Sequence, residues 1–350
     1  MATIKDIAKL ANVSIGTVDR VIHKRGTVAN ETLKKVEQAI KELNYKPNIH
    51  ARQLKLGKKY KFGVLIPEFH QDASYWEQHA IGMRKAGKEL ETSHIDIKFY
   101  HFDRYSEPSF YDKFSVALED NLDGMLIAPI FVNPAKDLIC QIPENIPYIF
   151  FDSDLPESKR LTFIGQDAYK SGVLAGKLMK MMVHGTGDLV IIRVLPESYN
   201  IDQRVEGFRD FISDNGSYFN INIYEWQETE NLDNFHRLMS QICDNENLRG
   251  IFMTNALTYP VASHIGAKKD DDKIKIIGYD LVKENINFLK NSVIDFLICQ
   301  SPITQGYQGI LMLYKKLVLN QDVENKIMMP IDIVTKENAE YYTSVSRANI

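Results

Sequence analysis

Apolar residues recur at helical spacing in the first 46 residues of the chain. The first segment has Thr3 as a candidate N-cap, and its apolar face consists of Ile4, Ile7, Ala8 and Leu10. A second segment has Ser14 as a candidate N-cap, and its inward face consists of Val18, Val21 and Ile22. The third segment, NETLKKVEQAIKELNY, repeats the pattern with Leu33, Val36, Ala39, Ile40 and Leu43. Three such faces can enclose one core, so residues 1–46 are predicted to form an all-α domain.

From residue 60 onward, short apolar runs alternate with amphipathic helical segments. Nine runs are typical of buried strands: FGVLIP, IDIKFYH, GMLIAP, YIFFD, DLVIIRV, INIYEW, GIFMT, IKIIGYD and DFLICQ. Such alternation indicates parallel sheets covered by helices on both faces, and nine strands fit two doubly wound lobes better than one long sheet. We predict a two-lobed α/β domain over 60–342. One lobe would comprise about 60–163 plus 293–320 and the other about 166–290 plus 328–342, with three crossings of the chain between them.

Residues 47–59 separate the two predicted domains. Pro47 ends the preceding element, and Asn48 can cap a helix of one or two turns that reaches Leu54. A helix this short is marginal in water by itself, because nucleation is costly and few hydrogen bonds offset it. We therefore predict a hinge helix that is frayed unless a partner stabilises it. An ordinary basic linker is the alternative interpretation.

The balance of basic and acidic residues changes near the boundary between the two predicted domains. Residues 1–61 contain 14 Lys or Arg and 5 Asp or Glu, whereas the rest of the chain contains 28 and 41, although the whole has a formal net charge of only −4. A basic domain attached to an acidic body is typical of a protein that binds a polyanion, with nucleic acid as the first candidate. Solvated helix faces are the alternative explanation for some of these lysines.

The second helical segment leaves one face unused by the predicted core. That face presents Ile15, Gly16, Thr17, Asp19 and Arg20. Two helices joined by a tight turn form a helix-turn-helix, and the second helix of this motif enters the DNA major groove. The stretch ATIKDIAKLANVSIGTVDRVIHKRGTVANETLKKVEQAIKELNYKPNIHARQLK resembles the DNA-binding headpiece of the LacI-type (lactose repressor) family of bacterial transcription regulators.

This resemblance implies roles for individual residues. Ile15 and Gly16 fall at the family's main base-reading positions, and Thr17 and Arg20 at further base and phosphate contacts. Leu54 matches the leucine that the family wedges into the minor groove when the hinge helix orders on DNA. The resemblance also implies DNA contacts from Thr3, Ser14, Asp19, Lys24, Asn48, His50 and Arg52.

Two positions depart from the family's pattern. Asp19 stands where the family commonly has a small polar residue, and its carboxylate is repelled by phosphate unless a nearby cation offsets it. Ala29 replaces the usual serine cap of the third helix, so we expect Asn30 to cap that helix one residue later. We still expect the segment to bind DNA, with a shifted choice of bases.

Polar and aromatic residues follow the predicted strands of the body, where ligands bind in open parallel sheets. The candidate ligand-binding residues are Tyr75, Trp76, Asp152, Asp154, Arg204, Asn255, Asp280 and Gln300. Carboxylates accept hydrogen bonds from paired hydroxyls, a guanidinium donates in a fork, and aromatic faces cover the C–H side of a sugar ring. This set predicts a polyhydroxylated ligand. The alternatives are helix capping for Asp154 and Asp167, and core packing for Trp76.

The body also carries a resemblance, over roughly residues 60–342. The stretches FFDSDLP, QRVEGF, YDLVKEN and ICQSPITQGYQG are similar to the periplasmic sugar-binding-protein fold that the LacI-type family uses as its effector sensor. The first and last of these stretches are closer to the ribose-binding branch than to the lactose repressor itself. The resemblance implies a monosaccharide-like effector.

Other kinds of site are not indicated. The three cysteines, Cys140, Cys243 and Cys299, lie far apart in apolar runs, which is typical of buried thiols in a reducing compartment. Four histidines, His79, His94, His101 and His236, show no spacing for a metal or a catalytic triad. There is no apolar signal core and no run of membrane-spanning length. We expect a cytoplasmic protein without metal, cofactor or membrane contact.

The sequence therefore predicts a homodimeric transcription regulator, most simply a repressor of carbohydrate-utilisation genes, that binds pseudo-palindromic double-stranded operator DNA. A small sugar would control its operator affinity allosterically. A sugar-binding protein without regulatory role is the alternative. An enzyme is not expected, because no GxGxxG follows the first strand and HGTGDL is only a turn before a strand. The sugar, its phosphorylation, the sign of its effect and assembly beyond a dimer stay open.

Overall fold

The structure is a computed structural model that describes residues 3–22, 28–43, 59–196, 198–214, 218–227, 229, 231–267 and 274–342. The chain divides into two compact units, Met1–Lys58 and Lys59–Ile350. Within the described ranges, no helix has both the length and the apolar character needed to cross a membrane.

The first unit contains three helices: α1 (Ile4–Leu10), α2 (Ile15–Ile22) and α3 (Asn30–Glu42). Their shared core consists of Ile7, Ala8, Ala11, Val18, Val21, Val36 and Ala39. Thr3 and Asp6 form the predicted capping box, in which the Asp6 backbone N–H donates to Thr3 Oγ1 and Asp6 Oδ2 accepts from the Thr3 N–H at 2.8 Å. Ser14 Oγ accepts from the Thr17 backbone N–H at 3.1 Å, which confirms the predicted cap of α2.

Two predictions about this unit are wrong. Asn30 is already the first helical residue of α3, so its side chain does not cap the helix. The N-cap is Ala29, which has no side-chain acceptor, and its carbonyl accepts only a backbone hydrogen bond from Leu33. Leu10, placed on the apolar face by its spacing, is 47% exposed at the last turn of α1, whereas the next residue, Ala11, lies in the core.

The second unit alternates strands and helices along its whole length. Its first part contains β1 (Tyr60–Pro67), α4 (Gln71–Glu89), a 3₁₀ turn (Glu91–Ser93), β2 (Ile95–Phe102), α5 (Glu107–Glu119), β3 (Gly124–Ile127), α6 (Val132–Ile139), β4 (Tyr148–Phe151) and β5 (Thr162–Gln166). Its second part contains α7 (Ala168–Met182), β6 (Gly187–Val194), α8 (Tyr199–Asp214), β7 (Phe219–Trp226), α9 (Leu232–Cys243), β8 (Leu248–Met253), α10 (Thr258–Gly266), β9 (Lys275–Tyr279), α11 (Lys283–Lys290) and β10 (Phe296–Cys299). The chain ends its regular structure with α12 (Pro302–Leu317), β11 (Lys326–Met329) and β12 (Asp332–Val334).

The strands form two six-stranded sheets of matching topology. The first sheet has the order β11-β5-β4-β3-β1-β2 and the second β12-β10-β9-β8-β6-β7. All pairs are parallel except β10 with β12, where Leu297 lies opposite Val334. Each sheet packs against helices through its own buried core, so the second unit is the predicted two-lobed, doubly wound α/β fold.

The lobe boundaries differ from those predicted. β10 belongs to the second sheet, so the chain crosses back to the first lobe after Cys299 and not before residue 293. β11 belongs to the first sheet, so the last crossing follows Met329. The prediction placed these runs by sequence order alone, whereas strand pairing decides which lobe each joins.

Three strands, β5, β11 and β12, were not among the nine predicted because their short runs are interrupted by polar or glycine residues.

Glycines bring one pair of helices into close contact in each lobe. In the second lobe, a Cβ at Gly172 would lie 2.1 Å from the carbonyl oxygen of Arg204, and one at Gly207 would lie 2.1 Å from that of Tyr169. In the first lobe, a Cβ at Gly82 would lie 1.9 Å from the carbonyl oxygen of Ile303. Side chains other than hydrogen cannot occupy these positions, so the backbones of α7 and α8 touch directly.

Candidate functional site

A cleft between the two lobes contains a cavity of about 330 Å³, here called the central cavity. It lies at the carboxyl ends of strands from both sheets, where open parallel sheets bind ligands. Seven of the eight predicted binding residues line it: Tyr75, Trp76, Asp152, Arg204, Asn255, Asp280 and Gln300. The remaining lining residues are Asp72, Arg104, Ile130, Ser198, Asn200, Ile201 and Ala256.

A chain of hydrogen bonds fixes the charged groups on the second-lobe side of the cavity. Arg204 Nη1 donates to the carbonyl oxygen of Thr254 at 2.7 Å, and its Nη2 donates to Gln300 Oε1. Gln300 Nε2 in turn donates to Asp280 Oδ2 at 2.9 Å. The Arg204 guanidinium also lies over the ring of Tyr279, 3.9 Å from its centroid. Arginine, glutamine and aspartate therefore hold one another in a single arrangement.

Three buried polar atoms of this group have no hydrogen-bond partner among the described residues: Asp280 Oδ1, Arg204 Nε and Asn255 Nδ2. Buried polar atoms are normally paired, so an acceptor and two donors beside one cavity indicate a ligand with hydroxyl groups. Burial raises the pKa of the Asp280 carboxyl to about 7, although the neighbouring Arg204 lowers it. A donor supplied by a ligand would favour the ionised form.

Asp152 organises the first-lobe side. Its Oδ1 accepts from the Tyr75 hydroxyl at 2.5 Å, and its Oδ2 accepts from Asn200 Nδ2 of the second lobe at 3.2 Å. The backbone N–H of Asp152 donates to Gln305 Oε1 at 2.9 Å. Burial, and then the Asp152 charge, raise the pKa of Tyr75 well above its ordinary value, so its hydroxyl stays a donor.

Trp76 both packs in the core and lines the cavity. Its indole N–H donates to Asp72 Oδ2 at 2.9 Å, and its ring stacks on His79. Burial lowers the pKa of His79 to about 4, so this histidine is a neutral packing residue. The two interpretations of Trp76 offered by the sequence are therefore compatible.

Sequence reasoning missed an ion pair on the first-lobe side of the cleft. Arg104 Nε lies 3.0 Å from Asp72 Oδ2, and both side chains are nearly fully buried. The Tyr105 hydroxyl donates to Asp72 Oδ1 at 2.8 Å, and both terminal nitrogens of Arg104 donate across the cleft to the carbonyl oxygen of Pro196 at 3.2 Å. Asp72 and Arg104 follow β1 and β2, so a search of every strand end would have found them.

Asp154 lies apart from the other seven predicted residues. Arg160 holds it in a bidentate ion pair, with Nε 2.5 Å from Oδ1 and Nη2 2.7 Å from Oδ2. Asp154 lines a second cavity and not the central one. Asp167 takes the alternative role considered for it, since its Oδ1 accepts from the Lys170 backbone N–H at 2.9 Å and caps α7.

The predicted DNA-binding residues of the first unit lie along α2 and its cap. Ile15 is 51% exposed, Gly16 and Arg20 are exposed, and Thr17 and Asp19 are half-buried. Thr3 and Ser14 use their side-chain oxygens for helix caps. Five further predicted residues, Lys24, Asn48, His50, Arg52 and Leu54, lie outside the described residues, as does the predicted hinge helix.

In the part of the chain that the structure describes, no three His, Cys, Asp or Glu side chains are grouped so that they can hold a metal ion.

Comparison with known proteins identifies both units. Residues 62–321 match the family described as periplasmic binding protein domain, and residues 3–48 match bacterial regulatory proteins, lacI family. The chain belongs to the periplasmic binding protein domain family over most of its length, and it carries a lacI-family domain at residues 3–48. The protein is a DNA-binding transcriptional regulator with a sugar-binding effector domain, and not a free sugar-binding protein.

Relatives match along nearly the whole length. The ribose operon repressor of Lactococcus lactis is 26% identical over 345 residues, which cover 96% of this chain and 98% of that protein. The sucrose operon repressor of Streptococcus mutans is 26% identical over 348 residues, covering 97% and 99%. A solved structure described as a LacI transcriptional regulator, from Bacteroides fragilis, has a TM-score of 0.76 and 27% identity, and covers 81% of this chain and 100% of that one.

Proposed function

We propose that this lacI-family protein is a homodimeric repressor whose operator affinity is controlled by an uncharged sugar bound in the central cavity. The observation that carries the proposal is the unpartnered Asp280 Oδ1 beside Arg204, in a cavity lined by both lobes. A sugar hydroxyl that donates to Asp280 while accepting from Arg204 Nε satisfies both atoms at once.

Charge favours an uncharged ligand over a phosphorylated one. Three carboxylates, Asp72, Asp152 and Asp280, line the cavity against two guanidinium groups. Arg104 is already paired with Asp72, and Arg204 already donates to Thr254 and Gln300. A phosphate group in the cavity would therefore lie near carboxylates, and both guanidinium groups already have partners. Burying a charge without a partner is costly.

Ligand binding is coupled to lobe position because the cavity has walls on both lobes. A sugar that contacts Asp152 in one lobe and Asp280 in the other stabilises one lobe arrangement over another. The segment 47–59, which connects the two units, would transmit that difference to the DNA-binding unit. By linkage, operator DNA changes sugar affinity by the same factor as sugar changes operator affinity.

DNA recognition is proposed for the exposed face of α2. Ile15, Thr17 and Arg20 would contact base edges or phosphates, and Gly16 allows close approach of the helix backbone to DNA. A pseudo-palindromic operator requires two copies of this helix at a fixed spacing, which supports a homodimer. Because operator DNA lies in the bacterial cytoplasm, we propose that the protein acts there.

Operator binding measured by fluorescence anisotropy, with and without a panel of neutral sugars, tests this function. We expect Arg204→Ala and Asp280→Ala to abolish the effect of the active sugar and to leave sugar-free operator affinity within about two-fold of wild type. Arg209→Ala is the matched control, because Arg209 lies exposed on the same helix and lines neither cavity. Wild-type sugar binding by both cavity variants in calorimetry would show that the site is wrongly assigned.

A further inference from the structure

A second cavity, of about 540 Å³, lies beside the central cavity and next to two of the crossings between lobes. We call it the hinge-side cavity. Its lining comes from both lobes and consists of Asp152, Asp154, Pro156, Phe163, Gln166, Asp167, Ala168, Tyr169, Tyr199, Asn200, Gln203, Lys326 and Met328. Asp152 and Asn200 line both cavities, so their hydrogen-bonded pair stands between them.

The hinge-side cavity has aromatic residues in its lining. Phe163, Tyr169 and Tyr199 contribute aromatic rings, and Met328 adds an exposed apolar side chain. Tyr169 is 36% exposed, and its hydroxyl is held by Asp210 at 2.9 Å, which fixes the ring on the surface of α7. Aromatic faces of this kind cover the C–H side of a sugar.

Polar groups with unused capacity lie among these rings. Gln166 is only 4% exposed, and its Oε1 has no partner among the described residues, while its Nε2 donates to the carbonyl oxygens of Cys299 and Pro330. Within the same described ranges, no hydrogen bond is formed by the Tyr199 hydroxyl. The cavity thus combines an unsatisfied acceptor and a hydroxyl with the side-chain amides of Asn200 and Gln203, which already donate to Asp152 and Glu206.

The charged groups of this cavity are largely neutralised. Asp154 is paired with Arg160, and Asp167 caps α7 and lies 3.6 Å from Lys170. Among the lining residues, an anionic ligand could pair with Lys326 but would lie near these carboxylates. A cationic ligand would lie near carboxylates that already have partners. An uncharged, hydroxylated ligand loses least on entering.

We propose that the hinge-side cavity binds a second uncharged sugar ring, next to the ring in the central cavity. This inference rests on the proposed function and extends it to the size of the effector. The second ring can belong to a disaccharide that spans both cavities once the Asp152–Asn200 hydrogen bond opens, or to a separate monosaccharide. In both cases it contacts both lobes and strengthens the coupling between ligand and lobe position.

Isothermal titration calorimetry on the full chain tests the proposal, with D-ribose and sucrose heading a panel of neutral mono- and disaccharides. Three variants are compared with wild type. Tyr199→Ala removes a ring from the hinge-side cavity, and Tyr199→Phe keeps the ring without its hydroxyl. Tyr218→Ala is the matched control, because Tyr218 is 82% exposed and lines neither cavity. Thermal melting verifies that each variant is folded.

The stoichiometry and affinity measured by calorimetry distinguish a spanning disaccharide from two separate monosaccharides. A spanning disaccharide binds once per chain and loses roughly three- to ten-fold in affinity in Tyr199→Ala, while monosaccharide affinity is unchanged. Two monosaccharides bind per wild-type chain and one per Tyr199→Ala chain. In either case Tyr199→Phe retains most of the binding.

Other outcomes overturn the proposal. If every sugar that binds does so once per chain, with the same affinity in Tyr199→Ala and Tyr218→Ala, the second ring is excluded while the central site stands. If no sugar in the panel binds the wild-type chain, the proposed function fails and this inference fails with it.

Discussion

Asp152 and Asp280 occupy corresponding positions in the two lobes. Each directly follows a strand, β4 or β9, and each has a left-handed backbone, with φ of 67° and 66°. Left-handed non-glycine residues are uncommon, although aspartate tolerates this conformation better than most. Such strain persists where surrounding structure enforces it, often at binding sites. Here it aims one carboxylate from each lobe into the central cavity.

The raised pKa of Asp280 predicts a pH dependence of sugar binding. We expect affinity to increase as pH rises through about 7, because the ionised carboxylate accepts two hydrogen bonds and the protonated one has lost an acceptor. Calorimetric titrations at several pH values from 5.5 to 8.5 measure this. Asp280→Asn should bind weakly with little dependence on pH, and an unchanged slope in this variant would exclude Asp280 as the titrating group.

Stability should respond to pH in the opposite direction. The pKa of Asp280 is about 7 in the folded protein, above its ordinary value of 3.8, so between these values the folded state holds a proton that the unfolded state has released. The contribution of Asp280 to the free energy of unfolding therefore falls as pH rises from about 4 to 7. We expect the melting temperature of Asp280→Asn, relative to wild type, to be higher at pH 8 than at pH 5. A constant difference would contradict this assignment.

The sequence predicted which residues line the central cavity better than it predicted the ion-pair and hydrogen-bond partners of these residues. Seven of eight predicted residues meet because the carboxyl ends of parallel strands share one edge of each sheet. Asp154 lies outside the central cavity and pairs with Arg160, which comes six residues later in a loop, and no periodicity marks such a pair. The Asp72–Arg104 pair joins two strand ends that only the sheet order brings together.

At the scale of elements, the contact between α7 and α8 positions the cavity. α8 carries Asn200 and Arg204, and Gly172 of α7 lies directly against the Arg204 backbone. The helices were evident from their apolar pattern, but their separation depends on which glycines face each other. Likewise, β5, β11 and β12 were not recognised because polar or glycine residues leave each of them no more than three consecutive apolar residues.

Gly172→Ala should therefore distort the central cavity, although Gly172 does not line it. The added Cβ would lie 2.1 Å from the Arg204 carbonyl oxygen, so α8 must move, and we expect a loss of about 1–3 kcal/mol in the free energy of unfolding. Sugar affinity should fall as well, because Arg204 moves with the helix. Urea denaturation and calorimetry measure the two effects. Wild-type values for both would show that the helices are not in this close contact.

Gly16→Ala should have the reverse effect on stability. A Cβ at Gly16 of α2 would have Ser14 Oγ as its nearest neighbour, at 3.8 Å, an ordinary contact, and alanine favours helix by about 1 kcal/mol over glycine. We expect a more stable DNA-binding unit with altered operator choice, because a methyl group is added to the reading face. Melting followed by circular dichroism and anisotropy on a library of operator variants measure both. Unchanged base preference would place Gly16 away from the base edges.

At the scale of the whole molecule, charge separates the two binding activities. Residues 1–61 are strongly basic, whereas the remainder of the chain, which contains the central cavity, is acidic. DNA binding through Lys and Arg releases counterions and weakens steeply with salt, while an uncharged ligand in a buried cavity releases none. The two affinities are therefore expected to respond differently to ionic strength.

We expect operator affinity to fall by roughly 10³-fold or more between 50 and 200 mM salt, as for proteins with six or more phosphate contacts. Sugar affinity should change by less than about two-fold over the same range. Arg20→Ala should reduce the salt slope of operator binding by about one. Anisotropy and calorimetry across a salt series measure these quantities, and a steep salt dependence of sugar binding would contradict an uncharged effector.

The three crossings between lobes are very short. One residue separates β5 from α7, and two residues separate β10 from α12 and β11 from β12. Each residue of an extended chain spans at most ~3.6 Å, so the lobes can rotate about these three short segments but cannot separate. Entry and escape of a bound molecule then depend on rotation about three peptide segments. Stiffening one of them, for example at Ile331, should slow exchange of the molecule while every contact that holds it is kept.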